Sequence, residues 1–95
     1  MAIAFEWDDA KAGRNLAKHG FSFVEAREVF ADPTLATVNA TRQEDGEARF
    51  KAIGRIGSRL YAVVYTQRGD VNRLISARRA NATEERIYGD RSQHI

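Results

Sequence analysis

The sequence predicts an α+β domain in which helices pack against an antiparallel sheet. Three runs in the second half, 50–56, 60–66 and 71–77, are rich in β-formers and are separated by short glycine-containing turns, Ile56-Gly57-Ser58-Arg59 and Gln67-Arg68-Gly69-Asp70. Two segments with helix-capping signatures precede them and a third follows. A length of 95 residues suffices for one domain. Residues 1–90 are expected to form it, with 91–95 a frayed tail.

Ile3-Ala4-Phe5-Glu6-Trp7 alternates at period two and predicts a short first strand. Asp8 is suited to cap a helix over 9–19, with Gly20 as its left-handed stop. On that helix Ala10, Leu16 and Ala17 are expected to face inward, while Lys11, Asn15 and Lys18 share a polar face. Ser22 and Glu25 make a capping box for a second helix carrying Phe23, Ala26, Val29 and Phe30, which Asp32-Pro33 ends. A strand over 34–40 and a polar loop over 41–47 lead into the three runs above, completing a four-strand meander. Asn81, with Glu84 three residues on, caps a last helix reaching Tyr88.

Cysteine is absent, which excludes disulfides, a thiol nucleophile and thiolate metal sites. The histidines, His19 and His94, are isolated, so no metal site and no cofactor are expected. No stretch approaches a membrane span, and the N-terminus turns acidic too early for a signal peptide. The expected setting is therefore cytoplasmic.

Charge is unevenly placed. Residues 1–48 carry five basic and nine acidic side chains, net −4. Residues 49–79 carry eight basic and one acidic, net +7, and seven of the eight are arginine. Such a block is the footprint of a polyanion binder, because guanidinium groups grip phosphate bidentately. Period two along 71–79 sets Arg73 and Arg79 on one face and Arg78 on the other. Tyrosines at 61 and 65 interleave with these cations, a combination that suits single-stranded RNA: bases stack on flat groups while arginine holds phosphate.

Several stretches, in order, resemble the BrnT family of bacterial type II toxins. They are Phe5-Glu6-Trp7-Asp8, Lys11, Asn15, Lys18-His19-Gly20, Ser22-Phe23, Glu25-Ala26 and Val29-Phe30-Ala31-Asp32-Pro33. Glu47, Arg49-Phe50, Ile53-Gly54, Val64-Tyr65-Thr66, Arg68-Gly69-Asp70, Arg73 to Ala80, Glu84, Arg86 and Tyr88 continue the series over residues 5–90. Asn81 stands where the family usually has a threonine cap, and 39–46 matches poorly. The resemblance implies a RelE-like fold, metal-independent cleavage of RNA that inhibits translation, and neutralisation by a BrnA-like ribbon-helix-helix antitoxin through which the complex contacts operator DNA. A non-catalytic RNA- or ribosome-binding module, or an antitoxin-docking co-repressor, is the alternative on the same fold.

RelE-like cleavage proceeds by attack of a ribose 2′-hydroxyl on the adjacent phosphate, which needs charge stabilisation and proton transfer. Arg73, Arg78, Arg49 and Arg55 are the expected phosphate ligands. Arg68 and Arg79, with Lys11 and Lys18, are further substrate-binding candidates. His19 reads either as a helix-capping side chain or as the proton-transfer group. Tyr65 reads as a base-stacking or proton-donating residue, or as core.

Overall fold

A computed structural model describes the backbone of residues 3–93 and the side chains of 3–90. The elements are β1 (Ala4–Glu6), α1 (Asp9–His19), α2 (Phe23–Ala26) continuing as a 3₁₀ turn (Arg27–Ala31), β2 (Ala36–Asn39), a second 3₁₀ turn (Gln43–Asp45), β3 (Phe50–Ile56), β4 (Arg59–Arg68), β5 (Val71–Arg79) and α3 (Ala82–Gln93). The sheet order is β1-β5-β4-β3-β2, antiparallel throughout except for β1, which runs parallel to β5. This is the α+β order expected. Both hairpins turn on a glycine at positive φ (Gly57 at 63°, Gly69 at 61°) followed by a residue at negative φ, the pattern of two-residue primed turns.

The helix starts follow their caps. The Asp8 carboxylate accepts from the Ala10 amide at 2.8 Å, and Ser22 Oγ accepts from the Glu25 amide at 3.0 Å. α1 stops at Gly20, whose φ is 65° and whose amide donates to the Leu16 carbonyl. The second helix is tighter than expected, with four α-helical residues and then a 3₁₀ turn, before Asp32-Pro33 turns the chain. α3 runs five residues past Tyr88, to Gln93; 94–95 of the expected tail lie outside the described residues.

One face of the sheet is covered by α2, its 3₁₀ continuation and Phe21. Phe21, Phe23, Ala26 and Val29 pack there on Ala52, Val63, Tyr65, Leu74 and Ala77. Gly54 lets the 3₁₀ turn approach, since a Cβ there would lie 2.8 Å from both Val29 Cγ1 and the Val29 carbonyl oxygen. On the other face α3 packs mainly on the β2–β3 side, through Tyr88 and Ile87 against Ala36, Ile53 and, on β4, Leu60. The Tyr88 hydroxyl donates to Asp32 at 2.8 Å and meets Thr34 Oγ1, tying α3 to the Asp32-Pro33 corner.

α1 departs from expectation. Ala10, Leu16 and Ala17 are exposed, and the buried residue is Asn15. The reason lies in the sheet. β1 pairs only with residues 71–73 of β5, leaving the rest of that edge open. Asn15 closes it. Its Oδ1 accepts from the Ala77 amide at 3.0 Å, and its Nδ2 donates to the Ala77 carbonyl at 2.8 Å and to the Phe21 carbonyl at 3.0 Å. An amide side chain thus stands in for one rung of a strand, and α1 lies along the edge instead of on the core.

Candidate nucleic-acid interface

The pairing of β4 with β5 slips by one residue. Val64 faces Ser76, but Tyr65 faces Leu74, so Ile75 is left unopposed as a β-bulge. Beyond a bulge the two faces exchange. Arg73, opposite Thr66, therefore shares a face with Ser76 and Arg78, opposite Val64 and Ala62. Lys51 and Arg55 of β3 lie on that face too. Arg79, opposite Tyr61, lies on the other. The period-two expectation for β5 is corrected on this point.

These cations are not free. Arg78 makes a two-pronged pair with Glu84 (2.7 and 2.8 Å), and Lys51 Nζ meets the same carboxylate at 2.7 Å. Arg73 Nη1 meets Glu6 at 2.6 Å, Arg68 meets Glu47 at 3.1 Å, and Arg49 meets Asp45 at 3.5 Å. Arg55 stands over the Tyr88 ring, 5.8 Å from its centroid. The expected open clamp of strand arginines is thus corrected: carboxylates from the acidic half of the chain and from α3 fold back onto the basic block. Burial by itself would raise the Glu84 carboxyl, but bonds from Arg78, Lys51 and the Asn81 amide bring it down to about 2. The Arg68 guanidinium holds Glu47 below the ordinary carboxylate range, so Glu47 is an ion-pair partner and not a poised base.

Of the two readings of Tyr65, the structure shows the core one. It is buried at 8% exposure on the helix-covered face, its ring 5.0 Å from Phe30 and 5.8 Å from Phe50. Burial pushes its phenol upward against the opposing effect of Thr37. It is a core residue.

Three basic side chains without an ion pair among the described residues, with His19 beside them, gather elsewhere. Lys11, Arg14, Lys18 and His19 project from one side of α1 across Asn15 to Ile75 and Ser76 of β5, lining an open groove of about 370 Å³. No carboxylate lines it, and among the described residues none of these four side chains forms an ion pair. Positions 11, 14 and 18 lie on one helical face, spaced i, i+3 and i+7. The bulge at Ile75 and the Asn15 tether together hold this face beside the strand. The Asp8 carboxyl is held below its ordinary value by the Ala10 and Lys11 amides, with smaller contributions from Arg14 and Arg73. His19 caps no carbonyl with its ring among the described bonds; the Gly20 amide does that. Sequence reasoning found Lys11, Lys18 and His19 but missed Arg14, although the spacing from Lys11 and to Lys18 marked it. Among the described residues no cluster of His, Asp and Glu is placed to hold a metal, and no helix is long and apolar enough to cross a membrane.

Fold and groove define a small α+β domain with an open groove at one sheet edge, lined by basic side chains and by no carboxylate. The chain belongs to the BrnT family, the ribonuclease toxins of type II toxin–antitoxin systems, whose family model matches residues 7–84. No curated protein matches it. Family membership carries with it an RNA substrate and an antitoxin partner.

Proposed function

We propose that this protein is a metal-independent endoribonuclease toxin that arrests translation in the cytoplasm, is neutralised by a ribbon-helix-helix antitoxin, and holds its substrate in the α1–β5 groove. The observation that carries the reading is the convergence of Lys11, Arg14, Lys18 and His19 with no carboxylate among them, in a chain of this family. Lys11, Arg14 and Lys18 take successive phosphates of a single strand. Arg73 supports the same path. Its side chain commits one nitrogen to Glu6, whereas Arg78, at 36% exposure against 29% for Arg73, commits both terminal nitrogens to Glu84. Arg73 is therefore the guanidinium suited to stabilise the pentacoordinate phosphorane, and Arg78 braces the sheet face beside Ser76.

In the reaction the ribose 2′-oxygen bonds to phosphorus while the bond to the 5′-oxygen breaks. The products are a 2′,3′-cyclic phosphate and a 5′-hydroxyl. One proton leaves the 2′-hydroxyl and one reaches the 5′-oxygen, and His19 moves one of the two. The test is cleavage of total RNA by the purified full-length chain in the presence of EDTA. His19→Asn should lower the rate by about 10²-fold or more with RNA affinity retained. Lys11→Gln/Arg14→Gln/Lys18→Gln should lose affinity. Undiminished cleavage by both variants would remove the groove from the reaction.

A further inference from the structure

Opposite its cationic side, α1 carries an apolar face, and that face belongs to a second surface. Among the described residues the exposed large hydrophobic side chains are Ile3 at 48%, Leu16 at 50% and Val24 at 54%. All three fall in one region. Leu16 and Val24 line a shallow groove of about 170 Å³ with Trp7, and Val24 continues into a larger one of about 510 Å³ with Ile3 and Phe5 beside the open edge of β1. Trp7 and Phe5 are only partly covered by the core beneath them. The strip thus runs from a sheet edge across α2 to α1, on the far side of α1 from the phosphate groove.

We propose that this strip is the docking surface for the antitoxin, and that it takes an apolar segment flanked by lysine or arginine. The rim gives the charge. Glu25 and Glu28 line the larger groove, and Asp9 stands on the Leu16 side of α1, at i, i+4 and i+7 with Gly13 and Leu16. Arg27 is the basic residue among them, and its Nε donates to the Val24 carbonyl. A second copy of this chain would meet the strip through its own identical strip, setting one acidic rim against another, which like-charge repulsion opposes. A basic-flanked partner meets no such cost. The antitoxin is the partner that family membership supplies. Docking here leaves the phosphate groove on the other side of the same helix, so a bound antitoxin holds α1 and reaches RNA binding through it. The proposal rests on the family assignment and not on the groove's assignment to RNA.

The experiment measures affinity of the cognate antitoxin, the protein product of the same operon, for the full-length chain by titration calorimetry. Leu16→Glu/Val24→Glu, at half-exposed positions, should weaken binding at least about thirtyfold. Glu28→Lys should weaken it severalfold at low salt and less at high salt. Hydrogen exchange on the unaltered complex should show protection at residues 4–7, 12–16 and 22–28, and decides the matter if the double variant does not fold. Affinity unchanged, with protection confined to β3, β4 and α3, would overturn the proposal. So would a strip that proves to hold two copies of this chain together, read as a dimer that sedimentation shows Leu16→Glu/Val24→Glu to dissolve. RNA cleavage by the double variant without antitoxin should equal wild type. Loss of the cleavage reading would leave the binding result standing.

Discussion

Glu84 is 1% exposed, charged, and engaged by Arg78, Lys51 and the Asn81 amide at once. A buried carboxylate persists in its charged form only when such partners replace the lost water. Its folded-state value of about 2 lies below the ordinary 4.5, so it adds stability above pH 4.5, and that stability drains away as the pH falls toward 2. The contribution is about 2–3 kcal/mol, held down by the partial exposure of Lys51 and Arg78. Urea melts of Glu84→Gln across that window should lose most of the wild-type slope with pH, and a variant that keeps the full slope would put the acid sensitivity elsewhere. Asn15 makes the complementary case with a neutral side chain. Its three bonds tie α1 to the β5 edge, and Asn15→Ala should cost about 2 kcal/mol. Amide exchange at Ala77 should quicken more than at Ala62, which the sheet interior holds; equal protection at both would show the tether to be idle.

At the scale of elements, β5 shows how far a pattern carries and where it stops. Its limits and its hairpin with β4 follow from β-formers and a glycine turn, and both are found as expected. The bulge at Ile75 has no local signature, because it is set by which β4 partner each residue meets. One extra residue reverses the faces, so no period-two count along 71–79 yields the neighbours of Arg73. α1 misleads in the same way: its caps are local chemistry and legible, whereas the burial of Asn15 depends on a strand edge 62 residues away. Gly54 is a third instance. In the sequence it interrupts a strand, and in the fold it is where the 3₁₀ turn seats. Gly54→Ala should destabilise by about 1–3 kcal/mol, since the Val29 carbonyl oxygen in its way is backbone and has no rotamer to escape into. A thermal midpoint equal to wild type would mean that the turn slides outward freely.

Over the whole molecule the basic block is visible in the sequence, but its meaning is not. Folding returns Glu6, Asp45, Glu47 and Glu84 to it, so the cations that read as a clamp become sheet-bracing ion pairs. The unpaired ones that gather beside β5 come from the acidic half, where net charge conceals them. Position, then, and not total charge should govern RNA binding. Two triple variants separate these. Lys11→Gln/Arg14→Gln/Lys18→Gln and Arg55→Gln/Arg59→Gln/Arg79→Gln each remove three positive charges and take the formal net charge from +2 to −1. The second set is spread, with Arg55 and Arg79 on opposite sheet faces. For single-stranded RNA each phosphate contact contributes about 0.7 to the slope of log affinity against log salt, so losing the groove set should flatten the slope by about 2. The scattered set should lower affinity slightly through the general field and leave the slope nearly as it was. Equal slopes for the two variants would mean that the chain attracts RNA as a diffuse cation, with no channel for it.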